Sequence, residues 1–391
     1  MTHTTLLKLV VLFALAVAVS AETHDSRTIT LGYLTEHADT VATVTAGTET
    51  AIEADRWRVV FTIGDVLRGD VEGATLEVER RANEEAYPVG TKYLAFLRRV
   101  EREEWTGWRP VTTTFGMRPL PELGPETRFP GIVRDLASTL GEGPDVRDPI
   151  RLRALLVQGM ADADAGIAWS SAMDFVRHTE LHEGLSADQR ATILDAYRRQ
   201  PIGKMTKRAL AYAVAATRDP KAGDLLLESL QDPRARYICG AVAEALRRLA
   251  DPAVPGKVVE QLEGADTERR VHLFTVLGRL GAKVGAEAAV AHLDDPAPRV
   301  RLVAAHALGL TARAVHADDP TVKVGGLDKL KSWLAAAKTE NEISACLWAL
   351  AQLDAPEAYD VVRAARDDER EVVRRYAASY LRFPRQSLIL R

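Results

Sequence analysis

The sequence is short of the residues that announce most chemistries. It has two cysteines in 391 residues, too few for a disulfide framework, and aromatic residues make up only 6%. Basic residues do not outnumber acidic ones. Lys and Arg total 51 against 55 Asp and Glu, a formal charge of -4 spread along the chain, which gives no basic stripe for nucleic acid. The zinc-protease word HExxH, the nucleophile word GxSxG and a glycine-rich phosphate loop are all missing, and the carboxylates show no spacing that pairs them. These absences predict no catalytic residues, no cofactor and a non-catalytic chain.

Long apolar runs are equally scarce. One uncharged stretch, Leu9 to Val19, follows Lys8 and closes on the small residues Val19-Ser20-Ala21. This is the pattern of a secretory signal peptide with cleavage between Ala21 and Glu22. A membrane span needs about 20 apolar residues, and no stretch reaches that length. The mature chain is therefore expected to be secreted or periplasmic, soluble, and without a span.

What the sequence does hold is a repeated helical pattern. In Asp294 to Thr311, the residues Val300, Val303, Ala304, Ala307 and Leu308 fall on one helical face. Stepping back from Ala307 by 31 residues reaches Val276, Ala245 and Val214, each in a similar local word; Ala349 and Tyr380 are again 31 apart. The one irregular step, 42 residues, places an insertion around His316 to Gly326, expected as a surface loop. Arg208, Arg270, Arg301 and Arg374 share an equivalent position, with Cys239 and Ile343 as exceptions, and suggest a ladder between repeats. Asp-Pro pairs at 219–220, 232–233, 251–252 and 295–296 read as helix starts. One helical hairpin of this length cannot bury its apolar face alone, so neighbours must stack.

The words DDPAPRVRLVAAHALG and DPRARYICGAVAEALRRL resemble HEAT-like repeats of the short type found in bilin-lyase-like proteins, over roughly 204–383. The resemblance implies a right-handed all-α solenoid and, as an alternative, a lyase-like enzyme. Second helices usually line the concave side of such solenoids, which makes the surface around Lys257, Glu260, His292 and Lys331 the expected site for an unidentified protein partner.

Before the repeats the texture changes to strands. Thr40 to Thr45, Arg56 to Val66, Thr75 to Arg80, Lys92 to Arg99 and Arg109 to Thr114 alternate or run β-branched, with Thr106-Gly107 as a turn. The words ADTVATVTAG, RWRVVFTIGDVLRGDVEGATLEVE and YPVGTKYLAFLRRV resemble the netrin-like, metalloproteinase-inhibitor-like version of the OB barrel. Those inhibitors reach a protease metal with an amino-terminal cysteine, and the mature start ETHDSR has none. Trp57, Trp105 and Trp108 offer either an aromatic ligand platform or plain cover for the barrel end. Four prolines between Met117 and Pro130 mark an extended connection, and helices at 131–140, 149–160, 165–178 and 187–199 follow.

Two further groups of residues have side chains capable of chemistry. Cys239 and Cys346 lie three repeats apart, about 30 Å at ordinary helix spacing, against an upper limit near 7 Å for a bridge, so both are expected as free thiols. Asp174, His178 and His182 recur every fourth residue, yet together span about 12 Å of helix, too far for one ion; they read as a solvated helix face and not as a metal site. The fold expected is multidomain, α and β: a signal peptide at 1–21, an OB-like β-barrel with a trailing helix at 22–141, a helical cap at 142–203 and HEAT-like repeats at 204–391. The function expected is an exported, non-catalytic protein-binding or scaffold module, with a metal-dependent inhibitor or lyase-like enzyme, its site in barrel or cap, as the alternative. The apolar tail Leu388-Ile389-Leu390 is expected either to cap the last repeat or to dock on a partner.

Overall fold

The computed structural model describes residues 30–382, apart from 82–83, 85, 103–104, 112–116, 121–128, 141–147 and 354. The expected signal peptide with Ala21 and Glu22, and the tail Leu388-Ile389-Leu390, lie outside the described residues. The chain divides into two compact units, Thr28–Ala196 and Tyr197–Arg391.

The first unit opens on a short helix, α1 (Leu31–His37), which the strand-like reading of this region did not foresee. Six strands follow: β1 (Thr40–Glu53), β2 (Arg56–Arg68), β3 (Thr75–Arg81), β4 (Lys92–Arg102), β5 (Trp105–Pro110) and β6 (Met117–Pro119). They form one sheet in the order β1-β2-β3-β5-β4-β6, with β1 also paired to β4. Alternation places Ala42, Val44, Ala46, Val59, Phe61, Val78, Tyr93 and Leu97 in one core, with Trp108 packed against it. Closure into a barrel rests on a single parallel pair, Val78 with Trp108, so the clear barrel expected from the sequence is a sheet with one narrow seam. Thr106-Gly107 is no turn: both residues pair with Val100 and Glu101 of β4, because the ladder between these strands runs from Leu97 to Arg102 and carries the weak strand former Gly107 with it. Four helices complete the segment: α2 (Phe129–Leu140), α3 (Pro149–Met160), α4 (Ala165–Arg177) and α5 (Ala187–Arg199). Asp148 and Asp164 start α3 and α4 by accepting hydrogen bonds from first-turn amides.

The second unit is an array of helical repeats. Its first-helix series is α6 (Met205–Ala216), α8 (Cys239–Leu249), α10 (Thr267–Leu280), α12 (Pro298–Asp318), α14 (Glu340–Gln352) and α16 (Glu371–Arg382). Between them lie the second helices α7 (Ala222–Glu228), α9 (Val254–Glu260), α11 (Lys283–Ala291), α13 (Leu327–Ala336) and α15 (Pro356–Ala364). Each first helix packs on the next along the series. The 31-residue column explains why: Val214, Ala245, Val276, Ala307 and Ala349 are all buried in that seam, and their small side chains let the helices approach closely. The arginine column behaves as a ladder at two rungs. Arg270 reaches Asp295 at 3.0 Å and Arg301 reaches Glu342 at 2.8 Å, each in the following repeat. Arg301 and Arg374 also donate to the backbone carbonyls of Asp295 and Asp368, tying down the turn before their own helix.

Two local expectations need correction. The insertion at 316–326 is partly helix, since α12 runs to Asp318; buried Thr311, Ala312 and Val315 extend its apolar face, and the His316 ring meets the Val322 carbonyl at 2.8 Å. The Asp-Pro pairs at 219–220, 251–252 and 295–296 do not start the α-helices themselves. Each aspartate accepts from the amide two residues on, at Lys221, Ala253 and Ala297, and the helix begins just after that turn. At the far end of the first helices, Gly281 closes α10 in the left-handed conformation at φ 69°, and Ala250 closes α8 the same way at φ 53° without glycine's freedom.

Candidate functional site

The surface expected for a partner falls on successive second helices. Lys257 and Glu260 lie on α9, Lys331 is exposed on α13, and His292 ends α11. The four are not alike. Lys257 is paired with Asp224 of the preceding second helix at 2.6 Å. His292 holds its own helix, its Nδ1 lying 2.9 Å from the Ala288 carbonyl and its ring edge-on to Phe274. Glu260 and Lys331 stay exposed. A similar pair joins Lys329 to Asp294 at 2.5 Å, so the row of second helices is largely charge-balanced.

Asp174, His178 and His182 are not the solvated face that their spacing suggested. The helix α4 stops at Arg177 and a 3-10 turn, Thr179–Leu181, follows, so the three residues do not share one helical side. Asp174 is 2% exposed and His178 7%. The Asp174 carboxylate accepts hydrogen bonds from the Thr30 hydroxyl and, at 3.0 Å, from the Gly32 amide, and Arg177 stands 3.7 Å away. Burial nevertheless pushes its carboxyl above the usual range, against the opposing effects of Thr30, Arg177 and Gly32. Nearby, the Leu31 amide donates to Ser170 at 2.6 Å, and Arg177 bridges Glu36 at 3.0 Å. This is a clamp that fastens α1 to α4. His178 faces Glu180 at 3.0 Å and His182 meets the Phe175 carbonyl at 2.9 Å. Among the described residues no cluster of His, Cys, Asp and Glu is arranged to hold a metal ion.

Of Trp57, Trp105 and Trp108, two have described side chains. Trp108 packs into the sheet core and Trp57 lies under the Arg80 guanidinium at 4.6 Å, while the Trp105 side chain lies outside the described residues. Cys239 and Cys346 are free thiols, the second fully buried, and burial pushes both thiols up. No helix among the described residues is long and apolar enough to cross a membrane.

One buried polar group escaped the sequence reading. Lys207 on α6 donates to the Tyr197 carbonyl and sits 3.8 Å from the centre of the Tyr197 ring, whose hydroxyl donates to Ser229 at 2.8 Å. Burial lowers its amine to about 8, with Glu228 and Asp232 opposing. A lysine at this helix position reads as a surface residue from spacing alone. Only the neighbouring tyrosine, ten residues earlier, hints otherwise.

No protein-family model and no curated protein matches the chain. Solved structures do. The complex of CpcE and CpcF of phycocyanin lyase from Nostoc sp. PCC7120 is similar at 17% identity and a TM-score of 0.32, covering 61% of this chain and 91% of that one. Human deoxyhypusine hydroxylase in complex with glycerol is similar at 19% identity and a TM-score of 0.27, covering 60% and 87%. Both are helical-repeat proteins, and at such identity the likeness concerns that fold alone. Both bear the names of enzymes. The expectation of a non-catalytic chain is withdrawn, because missing sequence motifs are no ground for excluding catalysis on a repeat fold.

Proposed function

We propose that this chain is an exported binding protein whose repeat unit takes a protein partner on its row of second helices. Glu260 and Lys331 would face the partner directly, and Lys257 and His292 would belong to the surface as fixed parts. The observation that carries this reading is the division of labour in the array. First helices bury the common seam, and the second helices between them keep exposed, charge-balanced side chains available in each successive repeat. A surface built by repetition suits an extended protein partner better than a small molecule. Export is supported by Lys8, the run Leu9 to Val19 and the small residues before Glu22.

The domain division at 1–21, 22–141, 142–203 and 204–391 and the right-handed course of the solenoid belong to the same reading. So does an OB-like barrel in the first unit, supported by the return of β4 to β1 in the pairing order. An enzymatic step of the lyase kind, performed on the bound partner, is the alternative. The test is to place a photo-cross-linker at Glu260 and at Lys331 and expose the mature protein to a cell-envelope fraction. One discrete adduct common to both positions is expected. No adduct at either position overturns the reading, and a changed intact mass of the captured partner moves it to the enzymatic alternative.

A further inference from the structure

Charge is unevenly divided between the two series of helices in the repeat unit. Arg208 on α6, Arg247 and Arg248 on α8 and Arg279 on α10 are all exposed. They gather around one spot. The Arg248 guanidinium lies 5.0 Å from the centre of the Tyr212 ring, and Tyr212 is within electrostatic reach of Arg208, Arg248, Arg279 and Glu244. Arg279 extends back over α8, since a Cβ on Gly240 would stand 3.9 Å from its guanidinium. Cys239 at the start of α8 feels both Arg279 and Arg208.

The single carboxylate of this group is already committed. Glu244 accepts from Arg247 at 2.8 Å and from Arg248 at 3.0 Å. The hydrogen bond found for Arg208 goes to the Met205 thioether at 3.6 Å, and among the described residues neither Arg208 nor Arg279 has a carboxylate partner. On the second helices, by contrast, Lys257 and Lys329 are each neutralised by an aspartate of the previous repeat. A chain whose formal charge is -4 therefore carries a local excess of guanidinium groups across three successive first helices.

We infer that this first-helix face, Arg208, Arg247, Arg248 and Arg279 around Tyr212, is a docking site for an acidic segment of a protein. Arginine presents a planar fork that matches carboxylates, and Arg248 and Arg279 occupy the same place in consecutive repeats. Adjacent helices lie about 8–10 Å apart, a separation matched by carboxylates seven residues, or about two turns, apart on one helical face, about 10.5 Å at 1.5 Å per residue. The charges number too few, and the aromatic content is too low, for the long phosphate-tracking groove that a nucleic acid needs. This site is separate from the second-helix surface proposed above and does not depend on it.

The test uses the full mature chain and fluorescein-labelled deca-glutamate, with binding read by fluorescence anisotropy at low ionic strength. Wild-type protein should bind, and R208E/R279E should bind at least about tenfold more weakly. The neutral pair R208Q/R279Q, which adds no repulsion and keeps the proposal testable if the charge reversal destabilises the stack, should lose about threefold or more. R279K, which keeps the charge and loses the planar fork, should lose less affinity than R208Q/R279Q, and K331E on the other helix series should leave it unchanged. Absence of wild-type binding, equal loss in K331E, or unchanged binding in both paired variants would overturn the site. Tighter binding of an oligothymidylate than of the peptide would also sink it, by making the face a nucleic-acid surface. Cross-linking from Glu260 and Lys331 in R208E/R279E should persist, which separates failure here from failure of the functional reading.

Discussion

Asp174 in the sheet unit and Glu244 in the repeat unit are carboxylates drawn out of water on opposite terms. Burial pushes both upward. For Asp174 burial wins, although Thr30, Arg177 and the Gly32 amide oppose it. For Glu244, hydrogen-bonded guanidinium groups of Arg247 and Arg248 override burial and hold the carboxyl at about 2. A hydroxyl, an amide and one guanidinium at 3.7 Å do not offset full burial, whereas two guanidinium groups in contact offset partial burial with room to spare. The sheet unit thus gathers its long-range polar links around one buried carboxylate, whereas Glu244 is held by neighbours on its own helix.

The contrast is broken most severely at the apolar seam. Ala304→Asp puts an unpaired charge at a position with 0% exposure and should cost about 4 kcal/mol, read as the urea midpoint of the full chain. A loss under 1 kcal/mol would mean the first helices do not share a packed seam. Asp174→Ala leaves the Thr30 hydroxyl and the Gly32 amide without their buried acceptor and should cost about 3 kcal/mol, whereas Glu244→Ala, which releases two guanidinium groups that water can solvate, should cost under about 1 kcal/mol. Equal costs would erase the comparison. Gly32→Ala sharpens it, because a Cβ there would come within 2.6 Å of the Asp174 carboxylate; about 2 kcal/mol is expected, from crowding alone.

The pH dependence of the two groups should have opposite sign. A raised native value means that the Asp174 contribution is complete below the ordinary 3.8 and is lost as pH rises through the raised value. A depressed value means that the Glu244 contribution is complete above 4.5 and is lost as pH falls toward about 2. Urea midpoints measured against pH should therefore change less steeply in Asp174→Asn on the upper side and in Glu244→Gln on the acid side. A variant that flattens the opposite side would show the assignment reversed. The smallest effect belongs to the exposed pair of Arg299 with Glu268, 31 residues apart: Arg299→Ala should shift stability by less than about 0.5 kcal/mol.

How far each unit could be read beforehand follows from the distance over which its contacts are made. The 31-residue column is a local pattern repeated, so Val214, Ala245, Val276, Ala307 and Ala349 were legible as the seam, and the rungs from Arg270 and Arg301 came with it. The link from Thr30 to Asp174 spans 144 residues and obeys no period. The four-residue spacing of Asp174, His178 and His182 pointed to a helical face, but spacing cannot show that α4 ends before His178 or that α1 covers the carboxylate. The strands were read from alternation, yet β5 was displaced because its extent is set by pairing with β4 and not by its own residues. The arginine face was hidden by averaging: a total charge says nothing about which three helices share an excess. The partner surface was placed on the second helices by analogy, and the chemistry of Lys257 and His292 there, one paired and one pinned, could not be read without their neighbours.

The sequential packing of the first helices has a mechanical consequence. Each helix of that series rests chiefly on the one before and the one after, from α6 through to α16, so the array has no single keystone. Tension applied at its carboxyl end would be borne by the last hairpin first, and the stack would yield as a row of small separate extensions, each about one repeat long, in place of one abrupt rupture.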